Sequence, residues 1–250
     1  MRNTVNITGV PVDKITMKEA VEKVKYFLSQ DHAHSIYTPN AEFMMAARNN
    51  PDFKEILCNA DMCIADGAGV VLASRILGRP VPEKVSGIDL VKNIFLSGPE
   101  MKDGKLKFYF LGSKPGIAEE AAANVTKDYP GIEVVGCRHG YFSPEEEESI
   151  IEEINKCSPD ILLVALGQVK QEKFIHNYKN KLKAKVCMGV GGTLDVLAGK
   201  VQLAPDFFRR HGLEWLFRLY KEPRRFKRML ALPKYMLIVI AIRLKLLKDH

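Results

Sequence analysis

The chain has 250 residues, 46% of them hydrophobic and 27% charged, with 18 glycines and 13 prolines. That composition excludes a disordered, low-complexity or collagen-like chain and suits one large domain, or one domain with an appendage. The formal net charge of +7 is unevenly spread: residues 200–250 hold 13 Lys and Arg against 4 Asp and Glu, whereas residues 1–199 hold 24 against 26. A near-neutral body carries a strongly basic tail, and each part needs its own explanation.

Five cysteines, Cys58, Cys63, Cys137, Cys157 and Cys187, are scattered without CxxC or Cys/His metal spacing. They read as buried free thiols in a reducing compartment. The N-terminal stretch has no apolar signal core. The longest apolar run near the end, 235–242, is far shorter than the roughly 20 residues a membrane-spanning helix needs. The expectation is a protein neither secreted nor transmembrane that can still lie on a membrane.

Along the chain, β-rich apolar runs alternate with helical patterns. Strands are predicted at 5–9, 35–38, 62–65, 107–111, 133–137, 161–166 and 185–189, and helices at 17–30, 42–49, 68–77, 88–96, 116–128, 144–156 and 171–181. This alternation with short loops predicts an α/β fold, a mostly parallel Rossmann-like sheet flanked by helices. Residues 161–166, ILLVAL, are apolar on both faces, as a central parallel strand requires. Beyond Gly199-Lys200 the pattern turns helical, basic and aromatic, interrupted by Pro205, Pro223 and Pro233. The expected division is a catalytic α/β domain over 1–199 and a membrane-associating appendage over 200–250.

Glycine and polar residues follow five of the strands: Thr38-Pro39-Asn40, Asp66-Gly67, Gly112-Ser113-Lys114-Pro115-Gly116, Gly167-Gln168, and Gly189 to Thr193, which includes Gly191 and Gly192. In a parallel sheet these are all carboxyl ends, so they converge on one rim, where open α/β sheets bind ligands. The FLGSKPG segment sets glycines and a lysine at a strand-to-helix junction, which suits an anion, although it is neither a Walker A loop nor GxGxxG. Asp66 ends an apolar strand beside Gly67 and Gly69. A carboxylate shielded there has a raised pKa and suits a general base, while an N-cap for the helix beginning near Ala68 is an equal alternative. There is no DxD pair to clamp a divalent metal, and Glu145–Glu148 reads as a solvated first helical turn. His139 follows a strand and can line the crevice, though a lone loop histidine is more often structural.

In the tail, basic residues including Arg209, Arg210, Arg218, Arg225 and Arg228 interleave with Phe207, Phe208, Trp215, Phe217, Tyr220 and Phe226. Such faces suit an anionic membrane surface or single-stranded nucleic acid, and the aliphatic run 235–242 favours lipid over nucleic acid. A tail packed on its own body or on another subunit is the plain alternative.

These residues, with TPNAEF at 38–43, ADGAGVV at 65–71, SGIDL at 86–90, YPGIEVVGCRHGYF, PDILLVALGQVKQEKFI, GVGGTLDVLAGKVQLAP and GLEWLFRLYKEPRRFKRML, resemble the WecG/TagA/CpsF glycosyltransferases (glycosyltransferase family 26) over nearly the whole chain. The resemblance implies inverting transfer of N-acetylmannosamine from its UDP conjugate to the 4-hydroxyl of GlcNAc on undecaprenyl diphosphate, without a metal or cofactor. It implies Asp66 as general base, with Thr38, Asn40 and Gln168 lining the sugar-nucleotide pocket. It also implies that Arg218, Arg225 and Arg228 complete the site over the diphosphate. Lys84 stands where the family often has Arg, which keeps the charge but loses the planar fork. The expected partners are a UDP-sugar, the polyprenyl-diphosphate acceptor and the inner face of the plasma membrane, with a homo-oligomer possible. The uronic acid form of the donor sugar, serving another cell-surface polysaccharide, stays open. Two rivals are a nucleotide-dependent oxidoreductase, which lacks its dinucleotide fingerprint here, and a basic nucleic-acid-binding module.

Overall fold

The structure, a computed structural model, describes residues 2–223 and 226–248. The chain opens with a hairpin, β1 (Thr4–Ile7) and β2 (Val10–Asp13), paired antiparallel and separate from the main sheet. This corrects the expectation of a single strand at 5–9. Thr8 and Gly9 both take positive φ and make a tight two-residue turn, and the Gly9 N–H donates to Asn6 Oδ1 at 2.8 Å.

The remaining strands are β3 (His34–Tyr37), β4 (Met62–Cys63), β5 (Leu106–Gly112), β6 (Ile132–Arg138), β7 (Ile161–Ala165) and β8 (Val186–Gly189). They form one parallel sheet in the order β4-β3-β8-β7-β5-β6. The expected Rossmann-like α/β fold is therefore present. The strand period of two sorts side chains onto opposite faces, each built into its own core. In β5, Phe108 and Phe110 face one core while Tyr109 and Leu111 face the other; in β7, Ile161 and Leu163 oppose Leu162 and Val164. All of these are fully buried, each worth roughly 1.5–3 kcal/mol of transfer free energy.

One core is covered by α1 (Met17–Leu28), α5 (Gly87–Met101), α6 (Ile117–Asp128) and α9 (Thr193–Leu197). The other is covered by α2 (Ala41–Asn49), α3 (Pro51–Cys58), α4 (Ala68–Ile76), α7 (Glu147–Cys157), α8 (Lys170–Tyr178) and α13 (Ala231–Arg243). Between α9 and α13 lie the short helices α10 (Asp206–Arg210), α11 (Glu214–Lys221) and α12 (Phe226–Met229). Helix α3 was not expected, yet Asn50 caps it and Pro51 occupies its first position, where a missing N–H costs nothing. Helix α5 runs past its expected end at 96 and carries Pro99 inside its last turn. Pro233 does not interrupt the tail; it sits in the first turn of α13. Residues 144–146 form a 3₁₀ turn ahead of α7. Of the five free cysteines only Cys63 and Cys187 are buried, and Cys58 is exposed, which corrects the reading of all five as buried.

Parallel pairing places the carboxyl ends of all six strands along one edge of the sheet. That edge holds the loops singled out in the sequence.

Candidate active site

Strand β4 ends at Cys63, and the chain continues through Ile64 and Ala65 to Asp66. The Asp66 N–H donates to Pro39 O at 3.2 Å, which ties it to the loop after β3. On its other side the Val85 N–H donates to Ala65 O at 3.1 Å, so the Lys84–Val85 stretch runs alongside. Gly67 has a φ of 95° and is the N-cap of α4, so the carboxylate does not cap that helix, and the expected N-cap alternative fails. The first N–H of α5, from Gly87, donates to Asp66 Oδ2 at 3.3 Å. Gly87 in turn lies against Thr38: a Cβ there would stand 3.1 Å from Thr38 Cγ2. Thr38, Asn40 beside Gly67, and Asp66 therefore meet at one point on the rim. The Asn40 side chain is partly committed, because its Oδ1 caps α2 by accepting from the Glu42 and Phe43 N–H groups at 2.9 and 3.2 Å.

Burial pushes the Asp66 carboxyl up to about 6, against the opposing pull of the Gly87 N–H. Arg218 and Lys84 also favour its ionised form, and Glu214 opposes it. Desolvation outweighs all of the favourable partners, which leaves a carboxylate that is ionised at neutral pH and basic enough to accept a proton.

Arg218 and Glu214 come from α11, so the basic tail lies over this end of the sheet. Lys84 Nζ pairs with the Glu214 carboxylate. Arg209 Nη2 donates to both Asp89 oxygens at 2.5 and 2.6 Å. Arg228 Nη2 and Nε reach Glu42 Oε2 at 2.7 and 3.0 Å. Backbone contact is equally close, since a Cβ on Gly212 would come within 2.6 Å of Ala68 Cβ. Helix α13 adds an apolar anchor: Tyr235, Val239 and Ile242, spaced on one helical face, are buried in the core with α2 and α4. Arg218 is exposed above Asp66, and Arg225 lies outside the described residues.

The other expected rim residues sit at the ends of the central strands. Gly112 ends β5 against β7, where a Cβ would stand 2.4 Å from the Ala165 carbonyl, so its lack of a side chain serves strand packing. Ser113 follows with its Oγ donating to Asp195 Oδ2 at 2.9 Å. His139 and Gly140 fold over the same strand end, with the Gly140 N–H donating to Ser113 O at 2.9 Å. Gln168 is half-buried between β7 and α8, while Gly191 and Gly192 lead from β8 into α9. Among the described residues no three of His, Cys, Asp and Glu converge to hold a metal ion.

The profile of the Glycosyl transferase WecG/TagA/CpsF family matches residues 5–249. The chain belongs to this family. A relative from Bacillus spizizenii, named N-acetylglucosaminyldiphosphoundecaprenol N-acetyl-beta-D-mannosaminyltransferase, is 35% identical over 224 residues, 90% of this chain and 85% of its own. Proteins of the same name from Bacillus subtilis and Staphylococcus aureus (strain MRSA252) are 34% and 31% identical, covering 86% and 98% of this chain and 82% and 95% of theirs.

In this member of the WecG/TagA/CpsF family the sequence reading missed two kinds of rim residue. The first are the carboxylates that receive the tail, Asp89, Glu42 and Glu214, whose pairings span more than a hundred residues and leave no local signal. The second are Gln171 and Glu172, 1% and 0% exposed, directly behind Gln168. A Gln-Glu pair at the start of the helix expected from 171 is their only sequence signal.

Proposed function

We propose that this chain transfers N-acetylmannosamine from UDP-N-acetylmannosamine to the 4-hydroxyl of GlcNAc-diphospho-undecaprenol, inverting the anomeric centre. The observation that carries the proposal is Asp66, a shielded carboxylate on the strand-end rim with the tail's Arg218 and the body's Lys84 close enough to act on its charge. Asp66 takes the proton of the acceptor hydroxyl as its oxygen attacks the anomeric carbon. The bond from that carbon to the UDP oxygen breaks on the opposite face, and the departing diphosphate carries the new charge. Arg218 and Lys84, the cations whose charge acts on Asp66, receive it in this reading, and Arg228 joins them only by exchanging Glu42 for phosphate oxygens. Lys84 must then exchange Glu214 for phosphate oxygens. Thr38, Asn40, Gln168 and the glycine turns at Gly112, Gly191 and Gly192 line the donor pocket.

The acceptor is held in a bilayer, and α13 supports docking there. Between Lys234 and Arg243 it is apolar on all sides: Tyr235, Val239 and Ile242 face the core, while Leu237 and Ile240 are 67 and 43% exposed, and Leu244, just past its end, is 63% exposed. Among the described residues no helix is long and apolar enough to cross a membrane. Exposed Trp215, Leu216, Tyr220 and Phe226 extend the apolar surface along α11 and α12, interleaved with arginine and lysine. This arrangement fits peripheral binding to an anionic surface on the cytoplasmic side.

A transfer assay with a panel of radiolabelled UDP-sugars and a short-chain GlcNAc-diphosphate lipid tests the reading. Transfer from UDP-N-acetylmannosamine is the expected result. Selective use of its uronic acid form assigns the chain to another polysaccharide, and no transfer from any UDP-sugar refutes the proposal.

A further inference from the structure

Behind the proposed donor pocket lies a buried chain of hydrogen bonds that no catalytic step uses. The Gly191 N–H, in the loop after β8, donates to Gln171 Oε1 at 3.0 Å. Gln171 Nε2 donates to Glu172 Oε1 at 2.6 Å. Glu172 Oε2 accepts from the Val169 N–H, in the loop after β7, at 2.7 Å. Both side chains are essentially inaccessible to solvent. The chain therefore spans two adjacent strands and joins the loop that carries Gln168 to the loop that carries Gly191 and Gly192.

Two further observations show that the backbone is shaped around this bracket. Val169 has a φ of 74°, a strained conformation for a β-branched residue that persists only where its surroundings impose it. Gly167 has a φ of 85°, so Gln168 stands between two left-handed residues and its direction is set by them. The grip of Glu172 on the Val169 N–H holds the second. On β8, a Cβ at Gly189 would stand 2.9 Å from both Gln171 Nε2 and Glu172 Oε1, so any larger residue would displace the bracket.

We propose that Gln171 and Glu172 are positioning residues that hold the Gln168 and Gly191–Gly192 loops in the spacing that binds the UDP-sugar. The proposal rests on the reading of this rim as the donor site. The bracket is directional: donor meets acceptor at every link in one arrangement only. Glu172→Gln breaks it whichever way the two amides turn, because one pair of N–H groups must then face each other. Gln171→Glu sets two buried carboxylates against each other, which hold the link only while they share a proton, so the variants are compared at pH 8 and above. The double variant Gln171→Glu/Glu172→Gln restores every link. The Gly191 N–H then meets one oxygen of the new carboxylate at position 171, and the new amide at position 172 donates to the other. The carbonyl oxygen of that amide accepts from the Val169 N–H.

The test is steady-state transfer and calorimetric UDP binding on the full-length protein and these three variants. Both single variants are expected to raise the KM for the UDP-sugar and the Kd for UDP by about tenfold, with the acceptor KM and kcat little changed. The double variant is expected to return to within about threefold of the parent. A purely structural role predicts instead a lower kcat for both substrates in step with the folded fraction, and that result overturns the proposal. So does a double variant no better than the singles, or single variants that bind UDP like the parent. Should Glu172→Gln not fold, Gln171→Glu and the double variant make the same comparison. A parent protein that binds no UDP refutes the donor-site reading itself, whereas a parent that binds it only as well as both single variants refutes the bracket alone.

Discussion

The sheet rim and the tail that covers it are held by different forces. The central strands are buried on both faces, and the rim loops are fixed by backbone hydrogen bonds and by the Gln171–Glu172 bracket. Helices α10 and α11 contain no buried residue, and among the described residues the region from α10 to α12 meets the body through the ion pairs Arg209–Asp89, Lys84–Glu214 and Arg228–Glu42 and the close approach of Gly212 to Ala68. Helix α13, by contrast, drives an apolar seam into the core. Partly exposed ion pairs contribute little each, about 0–1 kcal/mol, and exchange readily with a charged ligand. The comparison thus separates a rigid cradle from a cationic cover that is anchored at one end and held by exchangeable contacts at the other.

The largest expected effect strikes the cradle. Asp66→Asn should reduce transfer by about 10²–10⁴-fold while UDP binding persists. It should also raise the thermal midpoint. The folded chain holds the Asp66 proton more tightly than the unfolded one, so stability falls as pH rises from about 4 to about 6 and stays lower above that. The amide escapes this loss, so the gain in midpoint is greater at pH 8 than at pH 4. A variant that is dead but also destabilised would point to a structural carboxylate instead.

A smaller effect belongs to the cover. Arg218→Met should lower kcat by about 10- to 100-fold with the thermal midpoint unchanged, since Arg218 is exposed and in the proposed reading receives charge on the leaving group. Unchanged kcat would detach the tail from the chemistry. The pair Leu237→Glu/Leu244→Glu should weaken co-sedimentation with anionic vesicles by about tenfold or more and leave UDP binding intact. It is a cleaner probe than truncation after Gly199, which would also strip Tyr235, Val239 and Ile242 from the core. Vesicle binding equal to the parent's would refute membrane docking through α13. The smallest effect is expected of Glu214→Gln. Removing that negative charge from the neighbourhood of Asp66 should move the acid limb of the rate profile to lower pH.

Much of the cradle was legible in the sequence because it follows local rules. Strand β7 announced itself by being apolar on both faces, and Asp66-Gly67 by following an apolar run. The hairpin at β1–β2 was read as one strand because its turn is the uncommon pair Thr8-Gly9, with only the glycine to mark it. Strand β4 is shorter than expected because it is an edge strand with two paired residues, and the chain leaves the sheet at Ile64 to form the site. The docking of the tail was not legible, since nothing near Arg209 or Lys84 in sequence names Asp89 or Glu214 as partner. Residue type alone also hid the division of duties at Asn40 and Gly112, where a cap and a close strand contact occupy part of each residue.

The pH dependence of kcat for the full-length protein, followed from pH 5 to pH 8 with saturating UDP-sugar and short-chain lipid acceptor, bears most directly on the central claim. A shielded Asp66 acting as base predicts a rate that climbs with pH through a midpoint near 6 and then levels off. A profile that is flat across this range, or that falls as pH rises, would contradict it.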